Sequence, residues 1–408
     1  MTILREPAAA PVLRTERIDT LDAVRGAAVL GILLANVVAM SGFPFLPRDH
    51  YRSLGLAEWH EPSLFLVLFL IEAKFYSLFS LLFGVGFAVF IQRTAARGAN
   101  PARLFKRRLL GLLMIGLVHT LLIWMGDILT PYAVIGFALV PFIKRDDRSV
   151  LRWATAMLLL PIALYAVMFV AAKAASAQPA VGVGSGELPQ FLVDAAAGFA
   201  TGGYADVVKG NAIFTVAQVV RRFLLMFFPR VFGMFLLGFW IGRRQMFANV
   251  DAHRALLTRV FAWSAILGLP LAFVGARMEG NNMGTPNVAG LIETTVKTIG
   301  VPVLSLGYAA GLCLLVQRSR AIRRAFAPAG QMALTNYLLQ SVAAVVVFYG
   351  IGFGLFGRVP LVVALVGAVV FFVMQMIASR VWLSRAAFGP AEWLWRMFTY
   401  RRAVPLFH

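Results

Sequence analysis

The sequence predicts an all-α, polytopic integral membrane protein with about ten transmembrane helices and both termini cytoplasmic. Three observations predict it. Hydrophobic residues are 60% of the 408 and charged residues only 14%, with a mean hydropathy of +0.80; soluble domains run nearer about 45–50% and about 25%. The apolar residues gather into runs close to the roughly 20 residues that cross hydrocarbon as a helix. The basic residues fall in short clusters between those runs and favour every second gap, as cytoplasmic loops do. That distribution also removes nucleic acid as the reason for a formal net charge of +20, and makes membrane lipids the first expected partner.

Residues 1–19 contain prolines, alanines and charges of both signs, with no apolar core ending at a small-residue cleavage site, and read as a cytoplasmic tail. Apolar runs at 21–43, 63–92, 106–125, 128–143 and 150–173 give an N-terminal five-helix half over 20–173. The second run is too long for one straight crossing of about 30 Å, so it is expected to tilt, to kink at its polar centre or to start at the interface. Residues 174–212, which include SAQPAVGVGSGELPQ, have few charges and several glycines and read as an external, flexible cap. Runs at 219–242, 256–276, 290–316, 331–352 and 359–383 give a C-terminal five-helix half over 213–384. The remainder, 385–408, breaks at Gly389–Pro390 and resumes with Trp393, Trp395, Phe398 and Tyr400 beside arginines. That pattern predicts a short interfacial helix in a cytoplasmic tail, with Glu392 and Arg396 spaced to pair on it.

Counting Lys and Arg in alternate gaps sets the orientation. Arg93, Arg97, Arg103, Lys106, Arg107 and Arg108 follow the second run, Lys144 and Arg145 the fourth, Arg243 and Arg244 the sixth, and Arg318, Arg320, Arg323 and Arg324 the eighth. The opposite gaps are poor, Arg221 and Arg222 being the exception. An even number of spans with both ends cytoplasmic fits this asymmetry. The single cysteine, Cys313, lies inside an apolar run and cannot close an intrachain disulfide.

Polar residues inside such runs cost a few kcal/mol each unless paired or wetted, which makes them site candidates. Asp22, Arg25 and Asn36 lie near one face of the first run; Asp22 and Arg25 are expected to pair at the cytoplasmic edge, and Asn36, about 16 Å deeper, to bond another helix or line a site. In FLIEAKFYSLFSLLFGVGF, Glu72, Tyr76 and Ser80 share a face and Lys74 points away, while Gly84 and Gly86 permit close helix approach or an irregular segment. His119 lies near or beyond mid-membrane and Asp127 in the following turn. Together they read either as a proton acceptor with its orienting carboxylate or as a histidine tied to a neighbouring helix with Asp127 capping the next one. Arg230 reads as an ion-pair partner of Glu72 or Asp127, or as an anion binder. Glu293 and Lys297 are spaced to pair; Asn336 and Gln340 suit interhelical bonding; His50 and His60 read as surface residues of the first external loop. These scattered groups are expected to converge on one wet interior. No glycine-rich nucleotide loop, HExxH, CxxC or GxSxG occurs, and no metal is expected.

RIDTLDAVRGAAVLGILLAN, KFYSLFSLLFGVGFAVF, RRLLGLLMIGLVHTLLIWMGDILTPYAVIG, GQMALTNYLLQS and FGPAEWLWRMFTY resemble, in order, the signature segments of the bacterial YeiB-like family, whose C-terminal half is catalogued as domain of unknown function 418. The resemblance covers nearly the whole chain and implies a multi-pass protein of the bacterial inner membrane. The LDAVRG opening is also distantly similar to the transmembrane acyltransferase superfamily, which implies transfer of an acyl group from a cytoplasmic acyl-CoA donor to a glycan, lipid or small-molecule acceptor. Bacterial O-acyltransferases of that group place a catalytic histidine where this chain has Asn36, so the base implied here is His119, or else His50 or His60. On that reading His119, Asp127 and Glu72 are the catalytic candidates, and Arg25, Asn36, Lys74, Arg230, Asn336 and Gln340 the substrate-binding ones. Transport of a small solute or lipid, with proton coupling through Glu72, His119 and Asp127, is the alternative.

Overall fold

The computed structural model describes residues 17–175, 189–218, 227–281 and 285–407. Arg5, Arg14, Arg221, Arg222 and most of SAQPAVGVGSGELPQ lie outside them. Helices make up most of the described chain, the principal ones being α1 (Asp19–Met40), α2 (Lys74–Ala96), α3 (Pro101–Leu122), α4 (Leu129–Phe137), α5 (Asp147–Ala175), α6 (Gln190–Thr201), α7 (Tyr204–Gln218), α8 (Phe228–Arg243), α9 (Arg254–Arg277), α10 (Val288–Arg318), α11 (Arg320–Gln331), α12 (Ala333–Phe348), α13 (Leu361–Arg385) and α14 (Pro390–Tyr400). Among the described residues, six helices are long and apolar enough to cross a membrane, or seven when α11 and α12, bent by 75° at their junction, count as one broken span.

The expected figure of about ten is therefore not supported, for local reasons. Helix α4 has nine residues followed by a tight turn over Val140–Lys144, far short of a bilayer crossing. The first two turns of α3 carry Arg103, Lys106, Arg107 and Arg108, although its later turns expose Leu110, Met114, Leu117 and Val118. Helix α8 is described from Phe228, and residues 219–226 of the expected sixth run lie outside the described residues.

The long second run breaks where its polar centre suggested. A wide turn over Val67–Ile71 ends at Glu72, Ala73 takes a left-handed backbone (φ +64°), and α2 restarts at Lys74. The Lys74 ammonium donates to the Leu68 carbonyl that this break leaves open.

Close packing comes from glycines. On α2 and α8, a Cβ at Gly84 would overlap the Phe235 carbonyl, and one at Gly238 the Leu81 carbonyl. Gly242 sits against Val85 and Ala88, so the two helices run parallel, from Tyr76 and Arg230 at one end to Gln92 and Arg243 at the other. Phe83 stacks on Phe235 (centroids 4.4 Å) along this seam. Helix α1 crosses α11 as closely, with Gly26 against the Phe326 carbonyl and Gly330 against that of Asp22. Packing thus joins the first half of the chain to the second. At the basic end, Arg243 bonds Asp147 (3.2 Å) and the carbonyls of Ile143 and Arg145.

The described part of the 174–212 loop is not a flexible cap. Helices α6 and α7 bury Leu192, Phe199 and Val207 in the same core as Leu33 and Tyr349, and Asn211 bonds Met125 N–H (3.1 Å) and the Leu121 carbonyl (3.3 Å) at the end of α3. Loop-like composition concealed them because their buried residues are small or aromatic in short runs.

Candidate functional site

The polar residues singled out in the sequence do not converge; they form four separate groups. The first lies at the start of α1, where Arg25 donates to Asp22 at 2.8 Å. Asn36, three turns further on, is half-buried and makes no hydrogen bond to a described residue. The second group surrounds the break before α2. Glu72 is exposed and Lys74 buried, and Arg230 donates to the Tyr76 hydroxyl (2.8 Å), neither of its expected carboxylates being its hydrogen-bond partner. Nearby on α10, Lys297 bridges Glu293 (2.6 Å) and Glu279. The third group is an interhelical ladder: Asn336 bonds Ser379 (3.0 Å) and the Ala329 carbonyl, and Gln340 bonds Gln375 (2.8 Å), which returns to the Asn336 carbonyl. These amides hold α12 on α13, with Gln340 Oε1 the one amide oxygen of the ladder left without a partner among the described residues.

The fourth group is His119 with Asp127. His119 Nδ1 lies 3.0 Å from Asp127 Oδ1, and the two side chains are 0% and 1% exposed. Asp127 also serves as a cap, accepting from the N–H groups of Leu129 (3.0 Å) and Thr130 (2.6 Å) and closing the first turn of α4. Nδ1 meets Asp127 by proximity alone, and neither ring nitrogen of His119 has a hydrogen-bond partner of good geometry among the described residues, which is uncommon for so buried a group. The ring packs on Tyr337 (centroids 5.1 Å), whose hydroxyl accepts from Ile128 N–H.

Beside this dyad lies a cavity of 270 Å³ that the sequence reading did not anticipate. Its deep part is apolar: Val29 and Ile32 of α1, Phe79, Phe83 and Phe87 of α2, and Leu112 of α3. Ile128, Leu129 and Tyr337 also line it; Asp127 and His119 do not, but they touch these lining residues through the Leu129 N–H and the Tyr337 ring. Gly86 opens the wall, with nothing within 4 Å of where its Cβ would be. Arg17, Arg25, Arg93, Arg97, Arg108 and Arg396 ring the mouth, against two carboxylates, Asp22 and Glu392. A cationic rim over an apolar chamber suits a ligand with an anionic head and a carbon chain. Of the nine candidate residues, Arg25 alone lines this cavity.

The roof of the mouth is α14, the short helix expected at the interface. It docks on α3: Trp395 Nε1 donates to the Arg108 carbonyl (2.7 Å), and the Arg108 guanidinium lies 3.8 Å from the Trp395 ring. Glu392 does not pair with Arg396. It accepts from the N–H groups of Leu334 and Thr335 and from the Thr335 hydroxyl (2.7, 3.2 and 2.6 Å), which satisfies the donors left open where α12 begins after its bend. Burial raises the Glu392 carboxyl against the pull of these donors and lowers the Arg396 guanidinium. At the opposite end of α1, His50 bonds the Gly357 carbonyl (2.6 Å), and His60, expected at the surface, is 5% exposed between Phe43 and Tyr51.

Among the described residues no cluster of His, Cys, Asp and Glu is arranged to hold a metal ion. The model of a protein family of unknown function, DUF418, matches residues 241–402. The chain is 31% identical to the uncharacterized protein YxaH of Bacillus subtilis and 33% identical to an uncharacterized 39.9 kDa protein of Bacillus acidopullulyticus, each over 97% of both chains. It is 28% identical to the uncharacterized protein YeiB of Escherichia coli over 96% of this chain and 98% of that one. Similarity of this extent, over nearly the whole length of each chain, makes the chain a member of the YeiB-like family of helical membrane proteins.

Proposed function

We propose that the protein is a transmembrane acyltransferase of the bacterial inner membrane, drawing an acyl-CoA donor into the cavity from the cytoplasmic side and passing its acyl group to an envelope acceptor. The observation that carries this reading is the cavity: a rim of arginines, an apolar chamber, and a buried His–Asp dyad in contact with its lining. The arginine asymmetry along the chain supports a cytoplasmic rim and cytoplasmic termini. In the reaction, His119 Nε2, unpaired, takes the proton of the acceptor hydroxyl as its oxygen attacks the thioester carbonyl. Asp127 beside Nδ1 stabilises the imidazolium that forms. Collapse of the adduct breaks the C–S bond, and the imidazolium returns its proton to the departing thiolate. Tyr337 and Leu129 separate the dyad from the chamber, so their displacement by the bound chain is the step that brings acceptor and base together.

The test is acyl-CoA hydrolysis by purified protein in detergent, with free thiol as the readout. His119→Ala should abolish it and Asp127→Asn lower it by about 10²-fold or more; unchanged rates in His119→Ala, folded as judged by thermal unfolding, would remove the dyad from the chemistry. The broken span at Glu72–Lys74 favours a second reading, transport of a small solute or lipid, because transporters place irregular backbone at their sites. Flux into vesicles without covalent change to the solute would select it.

A further inference from the structure

Among the six arginines of the rim, four are already occupied. Arg17 donates to Gln331 and to the Ala387 carbonyl, Arg25 to Asp22, and Arg93 and Arg97 have partners of their own. Arg108 and Arg396 differ. Neither makes a hydrogen bond or ion pair with a described residue through its guanidinium, and both lie over aromatic rings: Arg108 over Trp395 (3.8 Å to the centroid) and Phe90 (5.6 Å), Arg396 over Phe388 (4.5 Å). The two carboxylates of the rim are spent elsewhere, Asp22 on Arg25 and Glu392 on the start of α12. A ring takes the face of a guanidinium and leaves its edge, where the N–H donors lie in a planar fork, unspent. Two such forks, one on α3 and one on α14, therefore line the same opening, and the Trp395–Arg108 hydrogen bond holds the two helices together there.

We propose that Arg108 and Arg396 form a clamp for a phosphate group, the polar end of a ligand whose carbon chain occupies the chamber below. This deepens the acyl-donor reading and rests on it for the identity of the ligand. Arginine matches a phosphate bidentately, and two forks from two helices match the two or three charged oxygens that an ester phosphate leaves free. The chemistry is shared by the phosphates of a CoA thioester and by the headgroup of a phospholipid, and the two sources are separable.

The experiment titrates the detergent-purified full chain with four probes: lauroyl-CoA, lauroyl-pantetheine (the same thioester without phosphates), dodecyl phosphate and laurate. The two phosphate-bearing probes should bind at least about tenfold more tightly than lauroyl-pantetheine and laurate. Arg108→Gln and Arg396→Gln should each erase about tenfold of that advantage and leave lauroyl-pantetheine affinity unchanged. The charge-keeping Arg108→Lys and Arg396→Lys variants guard against a loosened α14: they retain a cation on the ring and lose the fork, so lauroyl-CoA should weaken several-fold while lauroyl-pantetheine does not. Equal binding of lauroyl-CoA and lauroyl-pantetheine by the native chain, or laurate matching dodecyl phosphate, overturns the clamp. The clamp and the reaction fail separately. His119-dependent turnover with no preference for phosphate keeps acyl transfer and discards the clamp. Phosphate-dependent binding that phosphatidylglycerol in nanodiscs displaces, with CoA thioesters neither competing nor cleaved, keeps the clamp, assigns it to a phospholipid and discards acyl transfer.

Discussion

Gly86 gives access to the cavity without disturbing the fold. It lies in the middle of α2, lines the chamber, and has open space where a side chain would project. A leucine there places about four carbons in a volume of 270 Å³ otherwise open to a ligand, displacing about as many chain carbons. At about 0.8 kcal/mol per buried methylene, a long-chain ligand loses about 3 kcal/mol, or about a hundredfold in Kd. The folded state should not suffer, because replacing glycine in a helix interior favours the helix by about 0.5–1 kcal/mol and the new Cβ has no neighbour within 4 Å. The assay is calorimetric titration of native and Gly86→Leu protein with acyl-CoA esters of stepped chain length, beside thermal unfolding of both. Expected are an unfolding midpoint no lower than native, near-native affinity for acetyl-CoA, and a loss that grows with chain length. Equal affinity for every chain length in the two proteins, with unfolding intact, would refute the chamber as the seat of the chain.

Gly238→Ala should behave in the opposite way, since its Cβ meets the Leu81 carbonyl across the α2–α8 seam; a loss of about 1–3 kcal/mol is expected, read as a lowered unfolding midpoint that Gly86→Ala does not share. Lys297→Met removes the cation from the fully buried Glu293 and should cost about 3–5 kcal/mol, part of it recovered by adding Glu293→Gln, as thermal unfolding of both proteins would show. Glu392→Ala leaves the first N–H groups of α12 unsatisfied and should cost about 1–3 kcal/mol. Burial raises the Glu392 carboxyl above its ordinary 4.5, so the folded chain holds this proton more tightly than the unfolded one. Its stabilising contribution is complete below pH 4.5 and declines as pH climbs through the raised value; Glu392→Gln should flatten that part of a stability–pH profile measured by thermal unfolding.

The membrane class, the break near Glu72, the Asp22–Arg25 and Glu293–Lys297 pairs and the existence of α14 were legible because each rests on local spacing. What α14 does was not: Glu392 finds its partners 57 and 58 residues away, and i,i+4 spacing to Arg396 pointed to the wrong one. The cavity was hidden for a related reason. Phe79, Phe83 and Phe87 repeat at helical spacing, as any core or lipid-facing stripe does, and only the neighbouring helices reveal that they border a void. Arg108 looked like one more arginine of a basic loop; its distinction is the Trp395 ring that lies 287 residues further along the chain. Counting spans failed where short or charged helices, α3 and α4, share an apolar environment without meeting the length and composition of a lone crossing.

The glycine seam between α2 and α8 bears on how the chain is assembled. Side-by-side helices pointing the same way cannot be a simple hairpin, so α2 must wait in the bilayer, its Gly84 groove unfilled, until more than a hundred further residues have left the ribosome. Translation of the first half alone should consequently yield a protease-sensitive product, and two fragments divided between α7 and α8 should regain resistance only when made together in one cell.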